Sequence, residues 1–358
     1  MRNADSFPMD ILILGTGAIG SYLGAKLARG KHRVVFLERP QRVQVLREKG
    51  ITVTRKGEAF TLTHPHVVGS LPEAFRKGPF DVALFTLKSY HTAEMTSKLK
   101  SFRVQVPPIL CLQNGVGNQK ILEKTFGKMK AVAGTVTSSV FRHGPGEITV
   151  RKERGTGIGA GNPLSKPLYD AFQKAGLKPW LYEQPQDMKW TKLLTNMMGN
   201  ASCAILDMPP GDIYAHRDLY ELEIRQLREA LAVMNSQGHQ PVKLPGIPSK
   251  LLAWVIGTWP IPLSHPFLSQ AIKRGRGGKM PSLHMDLHQG KENNEVEVLN
   301  GAVVRAGEES GIPTPVNTYF YWTLRKLVSG RLPPGTFAQQ PGRFIKEFRQ
   351  SAGAQRSI

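Results

Sequence analysis

Cysteines, long apolar runs and acidic residues are all scarce in this chain. The two cysteines, Cys111 and Cys203, predict neither a disulfide framework nor a metal site, because they lack the required spacing. The longest apolar stretch, residues 251–263, contains two prolines and is too short to span a bilayer. The first nine residues predict no signal peptide. These features predict a cytoplasmic protein with no membrane partner and no bound metal.

The shortage of acids gives the chain a formal net charge of +21, with 48 lysines and arginines against 27 acidic residues. The cations are spread along the sequence, and no nucleic-acid motif accompanies them. Such a field attracts small anions, for example a phosphorylated cofactor or a carboxylate substrate. We therefore expect small-molecule partners rather than nucleic acid.

A glycine-rich turn follows the first apolar strand, residues 10–14. In a dinucleotide fold, its glycines permit a tight turn, close approach to a pyrophosphate and close packing of the next helix. A helix over residues 21–29, a second strand over 33–37 and an acidic residue, Glu38, complete the context that this motif requires. The candidate cofactor-binding residues of the turn are Gly15, Thr16, Gly17, Ala18, Ile19 and Gly20.

The end of the second strand carries opposing signals for the cofactor. Glu38 favours the ribose hydroxyls of NAD, whereas Arg39 accommodates the 2′-phosphate of NADP, and Arg42 adds a second nearby cation. The two arginines favour NADP, and NAD remains the alternative.

Two further strands, residues 80–85 and 108–112, are each followed by a polar residue, Lys88 and Asn114. Ligands of open parallel sheets bind outside the carboxyl ends of the strands, so both side chains are predicted to face the cofactor or substrate. The alternatives are a solvated lysine and a turn-forming Asn-Gly pair.

Residues 188–201 are predicted to form one buried helix. The four-residue spacing places Lys192, Asn196 and Asn200 on one side of that helix, while the residues between them are apolar. A buried lysine is costly unless a polar group faces it, which indicates a ligand site. A lysine whose stem packs on the core while its ammonium reaches solvent is the alternative.

The fold class predicted is α/β, with a Rossmann-type dinucleotide-binding domain followed by an all-helical domain. We place the first domain at residues 9–184 and the second at 185–330. Residues 331–358 are predicted to be a loosely attached basic tail, residues 241–266 an irregular covering over the core, and residues 275–278 a glycine hinge.

Together these segments resemble the ketopantoate reductase family, also called 2-dehydropantoate 2-reductase, from about residue 9 to 327. The resemblance rests on six blocks in the family's order: residues 15–20, 86–88, 113–117, 190–200, 280–286 and 295–301. It implies NADPH-dependent reduction of a 2-keto acid, most simply 2-dehydropantoate to pantoate in pantothenate and coenzyme A biosynthesis. The site would lie between a Rossmann domain and a helical domain.

The resemblance also implies roles for individual residues. Lys192 would be the general acid, Asn196 would orient the substrate, and Asn200 and Ser282 would be further substrate contacts. Glu295 would meet the substrate's own hydroxyl group. Lys88 and Asn114 would line the nicotinamide and ribose, with Asn114 also reaching the substrate.

Several alternatives remain open. Asn293 and Asn294 stand where the family commonly has a threonine before the glutamate, and Lys189 is a rival acid one turn before Lys192. A reductase of the same fold that acts on another 2-keto acid fits the same residues, and so does a dinucleotide-sensing binding protein. A homodimer is compatible with the sequence.

Overall fold

The computed structural model describes residues 8–275, 278–291 and 293–354. The chain divides into two compact units. One contains the residues up to Lys189 together with Lys243–Ile247, and the other contains Trp190–Val242 and the residues from Pro248 onward. The first unit carries the β-sheets and the second is helical, so the predicted α/β class with a helical C-terminal domain is confirmed.

The first unit contains all twelve strands that the described residues form. They are β1 (Asp10–Leu14), β2 (Arg33–Leu37), β3 (Ile51–Arg55), β4 (Glu58–Leu62), β5 (His66–Val68), β6 (Val82–Phe85), β7 (Ile109–Cys111), β8 (Ala131–Val136), β9 (Ser139–Gly144), β10 (Glu147–Lys152), β11 (Thr156–Gly159) and β12 (Pro179–Tyr182). Its helices are α1 (Ala18–Arg29), α2 (Pro40–Lys49), α3 (Leu71–Arg76), α4 (Thr92–Lys100), α5 (Asn118–Phe126) and α6 (Ser165–Lys174). Short 3-10 turns lie at Ser89–His91 and Lys128–Lys130.

Eight strands form the main sheet, in the order β12-β11-β8-β7-β6-β1-β2-β5, and β4-β3-β10-β9 form a smaller one. β1 pairs in parallel with both β2 and β6, so the chain changes direction across the sheet at β1. Alternate residues of β1 enter opposite cores: Ile11 and Ile13 pack on one face, Leu12 and Leu14 on the other. Burial on both faces explains the unbroken apolar sequence of this strand. The carboxyl ends of β1, β2 and β6 meet at the switch point where such sheets bind ligands.

The second unit is built from helices. It begins at Trp190, inside α7, whose first residues belong to the first unit. These helices are α7 (Pro185–Met197), α8 (Asn200–Leu206), α9 (Pro210–Ala215), α10 (Arg217–Ser236), α11 (Ser249–Thr258), α12 (Ile261–Gly275), α13 (Ser282–His288), α14 (Asn300–Ser310), α15 (Pro315–Val328) and α16 (Pro341–Ala354), with a 3-10 turn at Glu295–Val298. The central helix α10 buries an apolar face that includes Leu227 and Val233. No helix of the described ranges is both long enough and apolar enough to cross a membrane.

Two segments differ from their predicted structure. Residues 241–266 are not irregular, because they contain α11 and the first turn of α12. Pro260 and Pro262 stand at the start of α12, where a missing N–H costs no helical hydrogen bond, so these prolines begin a helix rather than break one.

Residues 331–358 were predicted to be a loosely attached tail. Up to Ala354 this prediction is wrong, because α16 buries Phe344, Ile345 and Phe348. The last four residues lie outside the described part of the chain, as do Arg276 and Gly277 of the predicted hinge. The division between the units, after Lys189, falls five residues beyond the predicted domain boundary at 184.

Candidate active site

The glycine-rich turn between β1 and α1 has the backbone geometry that a pyrophosphate needs. Gly15 has φ +102°, a conformation that side chains disfavour. A Cβ on Gly20 would lie 2.0 Å from the carbonyl oxygen of Gly15, so helix and strand approach too closely for any side chain there. A Cβ on Gly17 would meet no atom within 4 Å. The turn therefore leaves open space beside the first N–H groups of α1, which fits an anionic ligand.

Two threonines hold this turn in place. The Thr16 hydroxyl donates to the carbonyl oxygen of Leu37 at 3.1 Å, which ties the turn to β2. The Thr86 hydroxyl donates to the carbonyl oxygen of Gly15 at 2.7 Å, which ties it to the segment after β6. The position of Thr86 in the Thr-Leu-Lys block was visible in the sequence, but its bond to the turn was not.

A cavity of about 840 Å³ opens beside the turn, at the ends of β1 and β2. Its lining residues are Gly15, Leu37, Glu38, Arg39, Pro40, Gly69, Ser70, Leu71, Pro72, Leu87, His91, Glu94, Met95, Lys98, Ser101 and Phe102. The apolar walls suit a flat ring, and Glu38 and Arg39 stand together at the rim. The carboxylate of Glu38 accepts the backbone N–H of Arg39 at 2.8 Å.

A third arginine, Arg142 on β9, lies near Glu38, Arg39 and Arg42. Burial lowers the pKa of the half-buried Arg142, the nearby charges of Arg42 and Arg39 lower it further, and that of Glu38 opposes them. Arg142 is therefore close enough to Glu38, Arg39 and Arg42 to be influenced by their charges. Arg142 lies more than a hundred residues after Arg39 in the sequence, and only its basic character marked it there.

Lys88 and Asn114 each follow the carboxyl end of one of the paired strands β6 and β7 by three residues. Buried Gln113 links these two segments, since its amide donates to the carbonyl oxygen of Leu87 at 2.9 Å and to the hydroxyl of Thr92. Asn118 donates to the carbonyl oxygen of Asn114 at 3.0 Å. A buried polar network therefore fixes the backbone on both sides of the candidate ligand position.

Lys192 and Asn196 form a direct pair on α7. The Lys192 ammonium donates to the Asn196 side-chain oxygen at 2.6 Å, and both side chains are half-buried. One helical turn separates them, which is the spacing at which two side chains of a helix meet. The amide fixes the direction of the ammonium, and a half-buried ammonium can both stabilise an oxyanion and donate a proton.

The polar stripe predicted to include Asn200 is broken, because α7 ends at Met197 and α8 begins at Asn200. Gly199 between them is left-handed, with φ +65°. The side-chain oxygen of Asn200 accepts the backbone N–H of Leu283 at 3.2 Å. Asn200 thereby satisfies a free N–H at the start of α13, next to Ser282, the first residue of that helix.

Buried Glu223 of α10 holds the break between α7 and α8. Its carboxylate accepts the N–H of Gly199 at 2.8 Å, the hydroxyl of Ser202 at 2.6 Å and that of Tyr214 at 3.0 Å. Burial raises the pKa of Glu223, and these three donors act in the opposite direction. Nothing in the spacing of the sequence indicated this residue.

Glu295 is buried and begins the 3-10 turn Glu295–Val298. The side chain of Asn294 caps this turn by accepting the N–H of Val296 at 2.9 Å. The turn and the start of α14, with its buried Asn300, follow directly. Lys192, Asn196, Asn200, Ser282 and Glu295 all belong to the helical unit, whereas the glycine turn, Arg39, Lys88 and Asn114 belong to the first.

Comparison with known protein families matches both units. The family model "Ketopantoate reductase PanE/ApbA" matches residues 11–163, and its C-terminal counterpart matches residues 185–328. The chain belongs to the ketopantoate reductase family. This family consists of oxidoreductases that act on CH–OH groups, and a nicotinamide dinucleotide is their cofactor.

This ketopantoate reductase family member aligns with its relatives over nearly their whole length. A 2-dehydropantoate 2-reductase of Pyrococcus horikoshii is 25% identical over 89% of this chain and 97% of its own, and one of Archaeoglobus fulgidus is 27% identical over the same shares. Among solved structures, a family member from Ralstonia eutropha JMP134 aligns with a TM-score of 0.76 at 24% identity, covering 90% of this chain and 99% of that one. A D-mandelate dehydrogenase with NADH and anilino(oxo)acetate aligns with a TM-score of 0.74 at 19% identity, covering 90% of this chain and 99% of that one.

The departure of this chain from the family's usual threonine leaves the local fold intact, because Asn294 provides the cap. The rival lysine occupies a different environment. Lys189 is buried and donates to the carbonyl oxygens of Gln113 at 2.6 Å and Gly134 at 3.2 Å, and burial lowers the pKa of its ammonium. These hydrogen bonds lie within the first unit, to which Lys189 belongs.

Proposed function

We propose that this ketopantoate reductase family member reduces the keto group of a 2-keto acid with NADPH, that the substrate is 2-dehydropantoate, and that Lys192 is the general acid. The observation that carries the assignment of the acid is the 2.6 Å bond between the Lys192 ammonium and Asn196. The names of the relatives from Pyrococcus horikoshii and Archaeoglobus fulgidus support the choice of substrate.

The chain's own residues account for the polar half of the reaction. The cofactor, when bound, supplies the hydride, so negative charge builds on the carbonyl oxygen of the keto acid. The Lys192 ammonium stabilises that charge and then donates a proton from Nζ, while Asn196 keeps Nζ in one direction. Ser282 and Asn200 are proposed to contact the substrate. Glu295 is proposed to accept the substrate's hydroxyl group, and its burial makes that contact selective.

The residues of the first unit fit a phosphorylated dinucleotide. The open turn at Gly17 receives the pyrophosphate, and the cavity beside Arg39 receives the adenosine. Lys88 and Asn114 are proposed to line the nicotinamide and its ribose. Arg39 lines the cavity beside Glu38, and the nearby charges of Arg42 and Arg142 support the 2′-phosphate of NADP over the free hydroxyl of NAD.

A substitution at Lys192 tests the chemical role. Because a general acid contributes about 10²–10⁴-fold to the rate, we expect Lys192→Ala to lower kcat by about that factor and to leave the Kd for NADPH nearly unchanged. Lys250→Ala, which removes an exposed lysine of α11, is the matched control and should leave both quantities at wild-type values. Full turnover in Lys192→Ala would exclude this lysine as the acid.

A panel of keto acids tests the substrate. 2-Oxo-3-methylbutanoate has the keto acid group of 2-dehydropantoate but lacks its hydroxymethyl group, so it cannot use Glu295. We expect its kcat/KM to be lower by orders of magnitude, and Glu295→Gln to reduce that difference. Equal kcat/KM values for the two acids would favour a reductase of the same fold for another 2-keto acid. NADPH binding without turnover of any acid would favour the dinucleotide-sensing protein.

A further inference from the structure

Two histidines and an aspartate of the helical unit converge outside the residues assigned to the reaction. Nε2 of His284 lies 2.7 Å from Oδ1 of Asp207, and Nε2 of His288 lies 3.6 Å from the same oxygen. The two imidazole rings stack, with centroids 4.0 Å apart and planes inclined by 26°. One ligand atom from each residue lies within 4.8 Å of the others. We propose that Asp207, His284 and His288 form a binding site for a divalent transition-metal ion.

The fold holds these three side chains together from both sides. The histidines are four residues apart on α13, so they project from one face of that helix. Asp207 ends α8 in a left-handed conformation, and its carbonyl oxygen accepts the side-chain amide of Gln339. Asn200, at the other end of α8, accepts the N–H of Leu283. The aspartate and the histidines therefore sit on two elements that hydrogen bonds already connect.

The donor set selects the kind of metal. Two imidazole nitrogens and one carboxylate oxygen suit Zn²⁺, Co²⁺ or Ni²⁺, whereas Mg²⁺ and Ca²⁺ prefer oxygen ligands. Ligand atoms about 2.0–2.2 Å from a tetrahedral Zn²⁺ lie roughly 3.3–3.6 Å from one another. The contact of His288 already has that length, and the contact of His284, now 2.7 Å, must lengthen by roughly 0.6–0.9 Å.

Solvent can reach the site, so an ion can enter. The side chain of His284 is 13% exposed, while those of Asp207 and His288 are 41% and 46% exposed. Three protein ligands leave a fourth position of the ion open to water. The bound ion would join α8 to α13, and we expect it to stabilise the helical unit against unfolding.

Metal titration of the full-length protein tests the site. The protein is first treated with a chelator and then titrated with Zn²⁺ by calorimetry and with Co²⁺ by visible absorption, which reports the coordination geometry. We expect one tight equivalent per chain and a higher Tm with Zn²⁺. His284→Ala, His288→Ala and Asp207→Asn should each weaken this equivalent at least tenfold, because losing even a group that only supports a metal ligand typically costs about 10–100-fold in affinity.

The controls separate this site from the other histidines. His66→Ala removes an exposed histidine of the first unit and should bind Zn²⁺ like the wild type. Each variant's Tm in the presence of chelator shows that the fold is retained. His288→Gln, at the most exposed of the three positions, gives a second substitution with little risk to folding. The absence of a tight equivalent, or a tight equivalent that survives in both His288 variants, overturns the proposal.

Discussion

Burial separates two lysines that lie one turn apart on α7. Lys189 gives its hydrogen bonds to two backbone carbonyls and is buried, whereas Lys192 is half-buried and directed by an amide side chain. Both carry the same group, and the sequence offered both as candidates. The sequence favoured Lys192 only through its spacing to Asn196. The different surroundings, which depend on strands more than fifty residues away, are visible only in the folded chain.

Arg142 is the residue-scale feature that sharpens the assignment of the cofactor. It belongs to β9, and its neighbours Arg39, Arg42 and Glu38 come from the end of β2 and the start of α2. A charge-assisted hydrogen bond to a phosphate is worth about 1.5–3 kcal/mol, or roughly ten- to a hundredfold in affinity. A 2′-phosphate at this cluster would engage it, and a 2′-hydroxyl would not.

We therefore expect Arg142→Ala to raise the Kd for NADPH about tenfold and to leave the Kd for NADH nearly unchanged. Arg39→Ala should have the same selectivity. Arg151→Ala is the matched control, because Arg151 is an exposed arginine of the neighbouring strand β10 and lies over the ring of Phe141. Fluorescence titration of the wild type and the three variants with each dinucleotide measures these dissociation constants. An equal loss for NADPH and NADH would assign Arg142 a purely structural role.

At the scale of elements, the sequence predicted the strands with regular apolar patterns but not the break within the predicted helix of residues 188–201. The period-2 and apolar patterns located β1, β2, β6 and β7 within two residues, since burial on both sheet faces demands continuous apolar strands. The break between α7 and α8 was missed because Gly199 alone is a weak signal inside an apolar helical pattern. Its left-handed conformation depends on the distant carboxylate of Glu223.

Glu223 makes the stability of this break depend on pH. Burial raises the pKa of its carboxyl group above the usual 4.5, so the folded state binds a proton that the unfolded state has already released. The stabilisation from this group is complete below pH 4.5 and is lost as pH rises through the folded-state pKa. We expect the free energy of unfolding of the wild type to fall relative to that of Glu223→Gln as pH rises above 4.5.

Urea denaturation at several pH values measures this difference. Glu221→Gln, at a glutamate of the same helix α10 whose side chain is 47% exposed, is the control for the loss of one carboxylate. Because Asn200 follows the break directly, Glu223→Gln should also raise KM for the keto acid more than it lowers kcat. A pH-independent difference between the wild type and Glu223→Gln would show that this carboxyl group does not titrate differently in the folded state.

At the scale of the whole molecule, the chain length and the order of strand and helix patterns predicted two domains and their classes correctly. The prediction of a tail at the C-terminus was wrong, because it rested on the prolines, glycines and cations of that segment. The spacing of Phe344, Ile345 and Phe348 after Pro341 was the available signal for α16, since three apolar residues recur on one helical face. Scattered charges on the opposite, exposed face obscured that pattern.

The last helix is therefore expected to be part of the core rather than an appendage. Phe344 is fully buried, and its ring lies 5.0 Å from Tyr319, 5.6 Å from Phe320 and 5.3 Å from Phe337. Removing a buried phenylalanine side chain typically costs 3–5 kcal/mol, so Phe344→Ala should lower the free energy of unfolding by about that amount. Lys346→Ala, at an exposed position of the same helix, should change it by less than about 0.5 kcal/mol. Denaturation of both variants in urea compares them directly, and equal stabilities would mean that α16 does not pack on α15 in solution.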